Sequence, residues 1–69
     1  MSILAWEAVG YTATARCEMI PSEAGCAVIV WWGDDEMLIA EIRSDLKAAG
    51  ERAKELRSAL VEQTWLLAP

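Results

Sequence analysis

The chain contains no histidine. That removes the commonest general base, the commonest metal ligand and the usual activator of a serine or cysteine nucleophile. Cysteine is scarce as well. Cys17 and Cys26 are the only thiols, and they lack the paired spacing of a zinc site. Across a hairpin turn they would come within reach of a disulfide, but in a reducing compartment they are expected to be free, small, buried residues. The four glycines, Gly10, Gly25, Gly33 and Gly50, are isolated from one another, so no glycine-rich phosphate loop is present. The carboxylates Asp34, Asp35 and Glu36 adjoin but lack the spacing of a calcium loop. No metal, no cofactor and no enzymatic activity are expected.

Long apolar runs are missing too. None approaches the roughly 18 residues of a membrane span. No basic residue precedes Arg16 and Glu7 interrupts Ile3-Leu4-Ala5-Trp6, so no secretory leader is expected and the protein should be cytoplasmic. Positive charge is short: 6 Lys and Arg stand against 11 Asp and Glu, for a net charge of -5. General nucleic-acid binding needs a basic patch, so direct nucleic-acid contact is not expected, nor is attraction to an anionic membrane. A basic protein partner suits this charge, although moderate acidity also serves solubility.

What is present is apolar. Hydrophobic residues make up 55% of 69 positions, with four tryptophans. A chain this short is one domain and buries only about 60% of its unfolded surface, so so much apolar character points to association.

Residues 3–9 could form a strand or a helical turn, and Gly10 permits a bend. Residues 11–19 alternate, with Tyr11, Ala13, Ala15, Cys17 and Met19 on one side and Thr12, Thr14, Arg16 and Glu18 on the other, which predicts a half-buried strand. Residues 20–25 carry turn chemistry around Pro21 and Gly25. Residues 26–32 are a continuous apolar run, as in a central strand covered on both faces. Trp31 and Trp32 then point to opposite faces.

Residues 34–67 read as one long helix. Asp34 can cap it, Asp35 and Glu36 suit the positive end of its dipole, and no proline interrupts it before Pro69. Ile39, Ile42, Leu46, Ala49, Ala53, Leu56, Leu60 and Leu67 recur at heptad spacing, with Gln63 a polar occupant of the seam. A rod of about 33 residues would be roughly 50 Å long, more than so small a domain can cover. Either the helix breaks near Gly50 into a hairpin, or a second copy buries the seam; the local text around Gly50 holds no turn cluster and favours the unbroken helix. The expected fold is therefore α+β: a β-hairpin or short antiparallel sheet over residues 1–33, followed by one long C-terminal helix over 34–67 that mediates a homodimer. The dimer contacts would be Ile42, Leu46, Ala49, Ala53, Leu56, Leu60 and Trp65.

The most electronegative spot on this reading lies at the junction of hairpin and helix. Trp31 and Trp32 adjoin Asp34, Asp35 and Glu36 there. An aromatic anchor beside carboxylates can grip a basic, partly apolar surface, so these five residues are the expected partner contacts.

In size, acidity and order of elements, a hairpin (residues 11–32) followed by Gly33-Asp34-Asp35-Glu36 and a helix, the chain resembles small phage-encoded inhibitor proteins. Within that group it is most similar to anti-activators that bind a bacterial transcription activator and block quorum sensing. That resemblance implies a homodimer that sequesters a host regulator by stoichiometric contact, occluding a basic surface such as a DNA-binding domain. Anti-CRISPR proteins share the size and acidity. A structural or assembly subunit, whose function is self-association, is the rival expectation.

Overall fold

The computed structural model describes residues 1–10 and 13–61. Four strands, β1 (Ile3–Val9), β2 (Thr14–Ser22), β3 (Gly25–Trp32) and β4 (Glu36–Arg43), precede one helix, α1 (Leu46–Leu60). The strands form an antiparallel meander in the order β1-β2-β3-β4. The helix lies across one face of the sheet, and the described residues make an α+β domain, a short antiparallel sheet followed by one helix.

The alternation read from β2 decides which face is covered. Ala15, Cys17 and Met19 are buried, and so are Cys26, Val28 and Val30 of β3 and Ala49, Ala53 and Leu56 of α1. All of these but Ala15 make one core cluster, flanked by Ile3, Ala5, Trp6 and Ile39. The small Ala49 and Ala53 let the helix backbone approach the sheet. Trp6 exploits that closeness, because its Nε1 donates to the Ala53 carbonyl at 2.7 Å. Residues 3–9 are thus a strand, tied by one side chain to the far end of the sequence.

Pro21 lies inside β2 rather than in a turn. It faces Cys26 of β3, while β1 reaches along β2 only as far as Met19. On its other side the strand has no neighbour there among the described residues, the position at which a sheet tolerates proline. The turn is the pair Glu23-Ala24, closed by Gly25 at φ 136°. A side chain at Gly25 would collide with the Arg43 carbonyl oxygen. Cys17 faces Val30 while Cys26 faces Pro21, so the two thiols stand four residues apart along the ladder, and both are free and buried.

The long helix expected over 34–67 begins twelve residues later, at Leu46. Residues 33–35 form the β3–β4 turn, with Gly33 at φ 68°, and residues 36–43 are the fourth strand. The same letters satisfy both periods. Ile39 and Ile42 fit a heptad, but Ile39, Glu41 and Arg43 also alternate with Ala40 and Ile42. Pairing with β3 decides between them: Ile39 faces Val30, Glu41 faces Val28 and Arg43 faces Cys26, which gives each a tertiary partner that local helix propensity cannot match. The helix cap is Asp45, whose Oδ1 accepts from the Ala48 N–H at 2.8 Å; Asp34 caps nothing. The helix runs through Gly50 without a break.

At 15 residues the helix is about 22 Å long, short enough for its own sheet to cover. Ala49, Ala53 and Leu56 are therefore buried in the core of their own chain and are not displayed as a seam on its surface. Leu60 is half-buried beside Trp32 and Leu38 of its own chain. Leu46 is exposed at the first helical position, and Ile42 belongs to β4. The expectation for Trp65 lies outside the described residues, as do those for Gln63 and Leu67. Among the described residues no helix is long and apolar enough to cross a membrane.

Candidate protein-binding face

A sheet with one helix layer has a second face. The residues that alternate with the core occupy it. Register places Leu4 beside Glu18, Ile29 and Ala40; Glu7 beside Arg16, Trp31 and Met37; and Ile20 beside Ala27 and Ile42. Val9 and Thr14 extend it at one end. Among the described residues nothing covers this face. Four of the most exposed large apolar side chains lie on it: Val9 at 76%, Ile42 at 68%, Leu4 at 59% and Met37 at 50%. Strand spacing and rise give the whole face, apolar and charged residues together, about 500 Å².

Trp31 stands on this face towards the β3–β4 turn, and two neighbours fix it. Its indole Nε1 donates to Glu18 Oε1 at 2.8 Å. The Arg16 guanidinium lies over the ring, 5.5 Å from the centroid. Arg16 in turn donates from Nη1 to the Gly33 carbonyl at 3.2 Å, closing the cluster onto the β3–β4 turn. A tryptophan held in this way loses little conformational freedom on binding, which is what a preorganised anchor requires.

Beside this cluster is a hollow of about 490 Å³ lined by Glu7, Val9, Ala13, Thr14, Arg16, Gly33 and Asp34. Its carboxylates outnumber its single guanidinium. Asp34 and Asp35 are exposed at the turn. The face is thus apolar across β3 and β4 and net acidic along the edge where Trp31 stands.

The five expected partner contacts do not gather into one site. Trp31 is on the open face, with Asp34 and Asp35 at its rim. Trp32 and Glu36 point to the helix side, where with Leu38 and Leu60 they line a smaller hollow of about 260 Å³. Strand alternation had placed the two tryptophans on opposite faces, and they are. Arg16 and Glu18 were sorted to the non-core side of β2 but not linked to Trp31. The strand register supplies that link, since Arg16 is the cross-strand partner of Trp31.

The other charged cluster is structural. Glu41 accepts from Arg52 at 2.8 and 3.1 Å through both carboxylate oxygens and from Arg43 at 2.6 Å, clamping β4 to the helix. The hydrogen bond from Arg52 holds the Glu41 carboxyl below its ordinary value, and the nearby Arg52 and Arg43 charges add to this against a partial desolvation. The same pair raises the Arg52 guanidinium, with Glu55 contributing. Burial, with the adjacent Glu18 charge, pushes the Cys17 thiol up to about 11. Among the described residues no three His, Cys, Asp or Glu side chains come together as a metal site would need.

No family model, no characterised protein and no solved structure matches the chain.

Proposed function

We propose that this protein acts by stoichiometric contact with another protein and that the uncovered sheet face, anchored by Trp31, is the contact surface. The observation that carries this reading is the open face with a preorganised tryptophan between its apolar part and its acidic rim. Buried tryptophans dominate interface energetics when apolar neighbours exclude water around them, and Ile29, Met37 and Ala40 are placed to do so. The acid along the rim (Glu7, Asp34 and Asp35) and the net charge of -5 select a partner surface that is basic and partly apolar. A host transcription activator presents that chemistry where it meets DNA, so the reading is inhibition by occlusion of such a surface in the cytoplasm.

The test is affinity capture from bacterial lysate with three baits: the full chain, Trp31→Ala, and Asp34→Lys combined with Asp35→Lys. Circular dichroism confirms that each bait is folded. One protein should be retained in stoichiometric amount by the full chain and lost from both variants, and raising salt should weaken its retention. Equal retention by all three baits would place the contact elsewhere and overturn the assignment.

A further inference from the structure

The free edge of β4 is a second surface, distinct from the open face. A sheet edge presents unpaired N–H and C=O groups, and natural proteins protect it with proline, charged side chains, bulges or a covering segment. Both edges of this sheet carry a bulge. In β1 it falls between Leu4 and Trp6, in mid-strand. In β4 it falls near one end, at Leu38, where the ladder shifts between Val30 and Trp31. From residue 39 to residue 43 the β4 ladder is regular, holds no proline, carries one charge of each sign, Glu41 and Arg43, that pair with each other, and has no neighbour on its outer side among the described residues.

We infer that this half of β4 pairs, antiparallel, with the same strand of a second copy about a two-fold axis through Ile42. The register follows from face and charge. Residues directly opposite in an antiparallel pair must share a face, so the axis passes through a residue. An axis at Ala40 would set Leu38, on the helix side, against Ile42, on the open side. An axis at Glu41 would set two carboxylates opposite one another, which is destabilising. An axis at Ile42 packs the most exposed large apolar side chain of the regular stretch against its own mate. It also sets Glu41 against Arg43 of the second copy, and Arg43 against its Glu41. Within one chain those two side chains already meet at 2.6 Å and stay 27% and 37% exposed, and Glu41 also accepts from Arg52, so the bridges across the edge add to those contacts.

The occupant is thus a second copy, chosen by complementary charge. About that axis residues 41–43 are strand in both copies, a small contact, and small contacts make weak, reversible complexes. The pairing joins two sheets edge to edge and sets their open faces side by side, so it leaves the Trp31 surface available.

The experiment is sedimentation of the full chain from about 5 to 500 µM, which needs no partner and so stands or falls apart from the binding reading. The mass should rise from 7.6 kDa towards twice that value. Arg43→Glu should raise the midpoint concentration about tenfold or more. Under mild oxidation Ile42→Cys should form an interchain disulfide, since facing side chains at a two-fold axis lie within bridging distance, whereas Met37→Cys should not. The buried Cys17 and Cys26 leave the assay clean. A constant 7.6 kDa mass would overturn the inference. So would a dimer that is indifferent to Arg43→Glu and is cross-linked as well through residue 37 as through residue 42.

Discussion

Trp6 and Glu41 make the contacts that no neighbour in sequence could supply. The Trp6 indole reaches 47 residues along the chain to the Ala53 carbonyl, holding β1 under the helix. Trp6→Phe keeps most of the ring but removes that donor, and should cost about 1–2 kcal/mol of stability in urea denaturation. Glu41 gives a pH signature. Its folded carboxyl lies below the ordinary value of 4.5, so the unfolded chain takes up the proton first. The stability from its pairing with Arg52 is complete above that ordinary value and is lost as pH falls through the lower folded one. The gap in urea midpoint between the native chain and Glu41→Gln should therefore be wider at neutral pH than at about pH 3, because acid removes from the native chain what the substitution has already removed. A gap of constant size would mean that the pair contributes nothing.

Among the elements, the helix gives the clearest contrast between a local signal and a tertiary one. Asp45 caps it through the Ala48 N–H, and Asp45→Ala should lower stability by about 1 kcal/mol. Gly50 lies in the helix with nothing within 4 Å of where a Cβ would stand. Gly50→Ala should therefore raise stability by about 0.5–1 kcal/mol, seen as a higher melting temperature. Gly25 answers differently, because its positive φ and the Arg43 carbonyl leave no room for a side chain. Gly25→Ala should be markedly destabilising by the same assay, in spite of making the same chemical change.

For the whole molecule, the two faces of one sheet should respond oppositely to substitution. Val28 is fully buried under the helix and Val9 is 76% exposed on the other face. Val28→Ala should cost about 2 kcal/mol through lost burial and a residual cavity, while Val9→Lys should stay within about 0.5 kcal/mol. A large loss at Val9, measured on the isolated chain, would mean that the open face is covered in solution.

The sequence by itself determined the α+β class, the alternation of β2, the opposed tryptophans and the unbroken passage through Gly50. Each rests on a period or a propensity read over neighbouring residues. It did not determine where strand gives way to helix, because residues 36–43 satisfy a period of two and a heptad equally well. Only pairing with β3, and the grip of Arg52 on Glu41 across eleven residues, chose the strand. That choice shortened the helix, let the chain's own sheet cover Ala49, Ala53 and Leu56, and moved the unpartnered apolar surface from a helix seam to an open sheet. The cluster of Arg16, Glu18 and Trp31 likewise exists only once β2 and β3 are in register, because its members are separated in sequence by a turn whose geometry sets which residues face each other.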